Sequence, residues 1–154
     1  MTESLHDRVV AFIARTRFPF AGQTTWPTDY VTLTNVPVRT RSIAAERGEH
    51  FPDIVIVDRT GRVREIGEVE MAVGSDAVPH LRAGSEAADS DTPTGVRHFF
   101  LYVPSGMEQA AQKLLEDSNI SYAGVRGFTV DSDGSVTIVP YVTKGDPYDH
   151  QVTG

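Results

Sequence analysis

Residues 53–71, DIVIVDRTGRVREIGEVEM, constrain this chain more than any other stretch. Asp53–Asp58 is a near-continuous apolar run, which is the pattern of a strand buried on both faces. Arg59-Thr60-Gly61-Arg62 follows as a tight turn, with Gly61 free to take positive φ. Val63–Met71 then returns as the second strand of a hairpin. A hairpin of this kind belongs inside a sheet with structure packed on both sides.

The flanking segments supply those layers. Residues 3–15 place Leu5, Val9, Phe12 and Ile13 on one helical stripe, and Pro19 ends the helix. Residues 18–30 read as a loop containing Trp26, and Tyr30–Val38 as a strand. Residues 39–50 allow two readings, one helical turn over Ile43–Arg47 or an extended connection. Residues 75–88 predict a short helix, with Pro79 in its first turn and Gly84 as a weak interior point. Val96–Val103 is a strand, and its residues Phe99–Tyr102 read as core. Ser105-Gly-Met-Glu108 matches a capping box, and the helix after it carries Met107, Ala110, Ala111, Leu114 and Leu115 on one face. Tyr122–Val130 and Ser135–Tyr141 form a last hairpin around Asp131–Gly134. The central hairpin makes the early strands antiparallel, and the later strand–helix–strand unit needs a right-handed parallel crossover. The expected fold is therefore α/β, a mixed central sheet flanked by helices, in one domain over 1–143 with a polar tail at 144–154.

The chemistry concentrates on the hairpin. A two-residue turn at Thr60-Gly61 pairs Arg59 with Arg62 and sets Asp53 opposite Glu68. Glu70, two residues on, faces the same side. Directly opposed Cβ atoms lie roughly 4.5–5.5 Å apart. Three carboxylates at that spacing repel one another unless a positive group sits among them, and a divalent ion such as Mg²⁺ or Mn²⁺ fits. A three-residue turn with a glycine bulge would instead shift the pairing by one and turn Asp53 to the opposite face.

Pro52-Asp53 and Glu68-Val69-Glu70, separated by fourteen residues, resemble the paired motifs of the PD-(D/E)XK nuclease superfamily. The order of elements over residues 1–130 is similar to the restriction endonuclease-like core of that superfamily. The resemblance implies that Asp53 and Glu68 bind the metal, that the Val69 carbonyl assists, and that Glu70 is a ligand or base. It also exposes a departure, because the superfamily has lysine where this chain has Glu70. Lys113 and Lys144 are the only lysines beside twelve arginines. Lysines migrate within this superfamily, so Lys113 could in principle reach in from its helix, but no motif surrounds it. Two functions follow: a Mg²⁺-dependent nuclease acting on DNA, or a nuclease-fold domain that has lost catalysis and serves in binding or assembly. A third reading treats the motif as an accident of a different α/β domain.

Other residues weigh less. Glu3 and His6 on the first helix, and Glu46 and Glu49, read as solvent-facing. His50, His80 and His98 share no metal-binding spacing, and His98 reads as a sheet histidine. Arg82, near His80 and Glu86, reads as a surface charge rather than a phosphate contact. No phosphate loop, dinucleotide motif or nucleophile elbow occurs. The absence of cysteine excludes disulfides, thiol catalysis and Cys-ligated metals. The net charge of -7 excludes broad coating of nucleic acid but leaves room for an arginine rim around a small site. Charged residues in the first twenty positions and the lack of a long apolar run point to a cytoplasmic protein with no membrane partner. Edge strands and aromatics suggest a homodimer.

Overall fold

The computed structural model describes residues 4–16, 31–36, 43–45, 48–57, 59–61, 63–90 and 99–143. In chain order the elements are α1 (Leu5–Thr16), β1 (Val31–Thr34), β2 (Ile43–Ala45), β3 (Gly48–His50), β4 (Ile54–Val57), β5 (Val63–Val69), a 3-10 turn at Ser75–Ala77, α2 (Val78–Ser90), β6 (Phe99–Pro104), α3 (Glu108–Asp117), β7 (Gly124–Val130) and β8 (Val136–Thr143). Six strands form one mixed sheet in the order β1-β4-β5-β6-β7-β8, and β2 and β3 form a separate ribbon. β5, β6 and β7 run parallel, whereas β1–β4, β4–β5 and β7–β8 are antiparallel. The expected α/β class and mixed sheet are therefore present.

The apolar run is buried on both faces because its alternate residues enter two different cores. Val55 and Val57 join Ile66, Phe99, Leu101, Val103, Leu81 of α2 and Ala111 and Leu115 of α3. Ile54 and Ile56 join Val69, Phe100, Tyr102 and the α1 residues Val9, Val10, Phe12 and Ile13. Each such side chain contributes about 1.5–3 kcal/mol by leaving water. Phe99–Tyr102 fill both cores, as their pattern predicts. Among the described residues no helix is long and apolar enough to cross a membrane.

The turn combines both sequence expectations. Val57 pairs with Val63, but Ile56 pairs with Glu65 and Ile54 with Gly67, so a bulge between Ile56 and Val57 leaves Arg64 as the extra residue. Gly61 has φ 85°. Pairing beside the tip is thus offset by one, and the bulge restores the register that brings Asp53 level with Glu68. The proposed Arg59–Arg62 pair lies outside the description, because Arg62 is not among the described residues.

Several local expectations need correction. Of the two readings of residues 39–50, the described part takes the extended one: residues 43–45 and 48–50 form an antiparallel ribbon, and the helical turn over Ile43–Arg47 is set aside. The capping box does not form: Met107 holds the N-cap position with no side-chain cap bond, and Glu108 Oε1 instead accepts the Gly106 N–H at 2.6 Å. Only Ala111 and Leu115 of α3 are buried, while Met107 and Ala110 are exposed. Leu5 is also exposed, and Val10 takes a place in the core instead. The edge strand β8 exposes Val139 and Tyr141 on either side of Pro140, which has no N–H to offer another strand. That blunts the edge on which the dimer expectation partly rested.

Gly84 is a point of close approach rather than a defect. A Cβ there would meet Phe99 Cε1 at 2.9 Å and Glu68 Cγ at 3.4 Å. Gly84→Ala is therefore expected to destabilise the fold by about 1–3 kcal/mol through overpacking, although alanine is the better helix former. Thermal denaturation checks this; an unchanged or raised Tm contradicts the close packing.

Candidate metal centre

The ends of several elements meet at one edge of the sheet, where β4 begins and β5 ends. Glu68 lies next to the end of β5 and is fully buried. Its Oε1 is 3.0 Å from His50 Nε2, at the end of β3, and its Oε2 is 2.6 Å from His80 Nε2, in the first turn of α2. The two imidazole rings meet edge to face, with centroids 5.0 Å apart. Glu70 Oε1 lies 3.5 Å from the same His80 Nε2.

Asp53 occupies the neighbouring position, just before β4. Its Oδ2 accepts the Val69 N–H at 2.9 Å and is 3.1 Å from His6 Nε2 on α1. The other ring nitrogen of His6 is 3.0 Å from Asp7 Oδ1. Asn35, just after β1, holds this segment in place: its Nδ2 donates to the Pro52 carbonyl at 2.6 Å and its N–H to the Asp53 carbonyl at 3.2 Å. The Pro-Asp motif is thus anchored by backbone bonds, and Asp53 in turn pins the peptide between Glu68 and Val69.

The electrostatics follow from these contacts. The bond to Asp53 raises the pKa of His6 from 6.5 to about 9, and Asp7 adds to the shift. The bond to Glu68 raises His80 to about 9 in the same way, against a helix N-terminus that disfavours a cation. Burial alone would push Glu68 up, but the bonds from His50 and His80 overcome it and hold the carboxyl below its usual range. Glu70 lacks such support. Burial raises its pKa, and the charges of Glu68 and Asp53 add to this against the opposing pull of His80.

The positive charge that three crowded carboxylates require is therefore present as imidazolium. Asp53, Glu68 and Glu70 do converge on one edge, but only Glu68 belongs to a compact donor set. That set is His50, Glu68 and His80, one ligand atom from each lying within 4.8 Å of the others. Donors on one ion with bonds of about 2.0–2.2 Å stand a little over 3 Å apart, so shifts of about an ångström close the set. Two imidazoles and one carboxylate suit Zn²⁺, Mn²⁺ or Fe²⁺ better than Mg²⁺, which prefers oxygen.

The histidines are what sequence spacing misses. His50 and His80 lie 18 and 12 residues from Glu68, on different elements. The available signal was their position on either side of the Asp53–Glu70 hairpin. Lys113 is not at this edge; it pairs with Asp117 at 2.8 Å on the exposed face of α3. Arg82 donates to the Ser118 carbonyl at 2.9 Å and ties α2 to the end of α3. Glu3, Glu46, His98, Trp26 and the side chain of Glu49 lie outside the described residues. Compared with known family models, curated proteins and solved structures, the chain matches none.

Proposed function

We propose that this chain is a metal-dependent phosphodiesterase with a restriction endonuclease-like core, acting on DNA. The observation that carries the reading is the meeting of His50 and His80 on the two oxygens of the fully buried Glu68. Those three residues would hold a transition-metal ion, with Mn²⁺ or Zn²⁺ favoured over Mg²⁺. A bound ion supplies Lewis acidity and lowers the pKa of water. Glu70, with its raised pKa and its place beside His80, accepts the proton of the attacking water. His6 keeps a cation at the same edge through its bond to Asp53, which supports the reading in a chain whose motif lacks lysine.

One observation favours a second reading, a catalytically silent binding domain. Both oxygens of Glu68 and the Oδ2 of Asp53 are already engaged by groups of the chain itself, so the fold balances these charges without an ion.

Calorimetric titration with Mn²⁺, Zn²⁺ and Mg²⁺, followed by cleavage assays on single- and double-stranded DNA, separates the two. The proposal expects micromolar or tighter Mn²⁺ and Zn²⁺ binding, weaker Mg²⁺ binding, and cleavage that disappears in Glu70→Gln. If none of the three ions binds at millimolar concentration, the silent domain is the correct reading.

A further inference from the structure

The ladder between β4 and β5 breaks off at Pro52. Ile54 pairs with Gly67, so the same register continued by two residues sets Val69 opposite Pro52. Pro52 has no N–H to give, and its carbonyl is turned away to accept Asn35 Nδ2 at 2.6 Å. Successive N–H groups of a strand point to opposite sides. The Glu70 N–H goes to the Tyr102 carbonyl of β6 at 2.9 Å, so the Val69 N–H faces the broken rung. Asp53 Oδ2 accepts it there at 2.9 Å. A side-chain oxygen thus stands where the ladder would otherwise have a carbonyl.

That bond falls on the peptide joining Glu68 to Val69. The peptide is planar, so holding its N–H fixes the backbone at Glu68 and the direction in which the Glu68 side chain leaves the strand. His50 and His80 come from other elements, the β2–β3 ribbon and α2, and both meet Glu68. A rotation of this one peptide would displace both carboxyl oxygens from both imidazoles.

His6 completes the chain of contacts. Its Nε2 is 3.1 Å from the same Asp53 Oδ2, and its Nδ1 is 3.0 Å from Asp7 Oδ1. An imidazole with a carboxylate at each nitrogen donates from both, so it holds Asp53 by charge as well as by hydrogen bond. Two donors therefore occupy Oδ2, and Asp53 stands outside the donor set of His50, Glu68 and His80. Outer partners of this kind orient the groups that do touch an ion.

We propose that Asp53 and His6 are positioning residues of the metal centre. Asp53 aims Glu68 through the Val69 amide, His6 holds Asp53 in place, and neither touches the ion. The proposal rests on the metal-centre reading and gives the motif aspartate a different task from the ligand role that the nuclease resemblance implies.

The test titrates the intact chain with Co²⁺, whose visible absorption reports its ligands. Asp53→Ala and His6→Ala are expected to lower Co²⁺ affinity about 10- to 100-fold while the band of the saturated protein keeps its shape. Asp53→Asn keeps an oxygen for the Val69 N–H and is expected to stay within about threefold of the wild type. A hundredfold loss in Asp53→Asn, or a changed band in any of the three, makes Asp53 or His6 a ligand and overturns the proposal. So does unchanged affinity in both alanine variants. His6 is partly exposed, so its variant remains informative if Asp53→Ala does not fold. NMR in EDTA gives a readout without metal. Both alanine variants are expected to shift the ring nitrogen signals of His50 and His80, and Asp53→Ala to shift the Val69 amide as well. If the wild type binds no Co²⁺ but these shifts occur, the metal centre fails and the positioning of Glu68 stands. Unmoved ring signals overturn the positioning itself.

Discussion

Glu68→Ala is expected to abolish ion binding and to cost about 3–5 kcal/mol of folding stability. The carboxylate is fully buried, and both of its oxygens face imidazole nitrogens. Removing it leaves His50 without its acceptor, deprives the raised proton of His80 of its cause, and opens a void under α2. Glu68→Gln separates charge from volume. It keeps the packing against Gly84 but removes the anion, so it should recover part of the stability while ion affinity still falls by a hundredfold or more. Urea denaturation and calorimetry on both variants check this. A Glu68→Gln protein that binds Mn²⁺ as tightly as the wild type contradicts the donor set.

The second large effect is an opposite response of stability and metal affinity to pH. An ion must displace the proton that His80 carries up to about pH 9. Affinity should therefore rise about tenfold per pH unit, close to a hundredfold between pH 7 and 9, and level off above that. The ion-free fold should behave in reverse. His6 and His80 have folded pKa values raised from 6.5 to about 9. Their contribution is complete below pH 6.5 and is lost as the pH rises through 9. Each loss amounts to about 1–2 kcal/mol, below the full linkage value because both rings are partly exposed to solvent. Differential scanning calorimetry in EDTA, run beside metal titrations at the same pH values, tests both trends. A Tm that rises between pH 7 and 9 without metal contradicts the imidazolium assignment.

The hairpin could be read in the sequence because its information is local. The apolar run, Gly61 and the two-residue spacing of Glu68 and Glu70 are properties of adjacent residues, and strand geometry converts them directly into faces. The order of the later strands and helices was legible for the same reason. The compensating charge was not. His6 lies 47 residues from Asp53, and no periodicity links them. His50 and His80 likewise reach Glu68 only once the β3 ribbon and α2 have folded onto the edge. Gly84 reads as a propensity fault because its reason, the closeness of Phe99, lies on another element. The capping box failed because Glu108 reaches back to Gly106, with Met107 rather than Ser105 at the helix start.

The bulge at Ile56/Val57 has a consequence for tolerance to change. The hairpin tip and the carboxylates sit at opposite ends of β4 and β5, and Arg64, the extra residue of the bulge, stands between them. A ladder with one spare residue can take up an irregularity at the tip before it reaches Gly67 and Glu68. The loop around Thr60 is thus mechanically insulated from the metal centre, and its length and sequence are free to drift while the carboxylates keep their alignment.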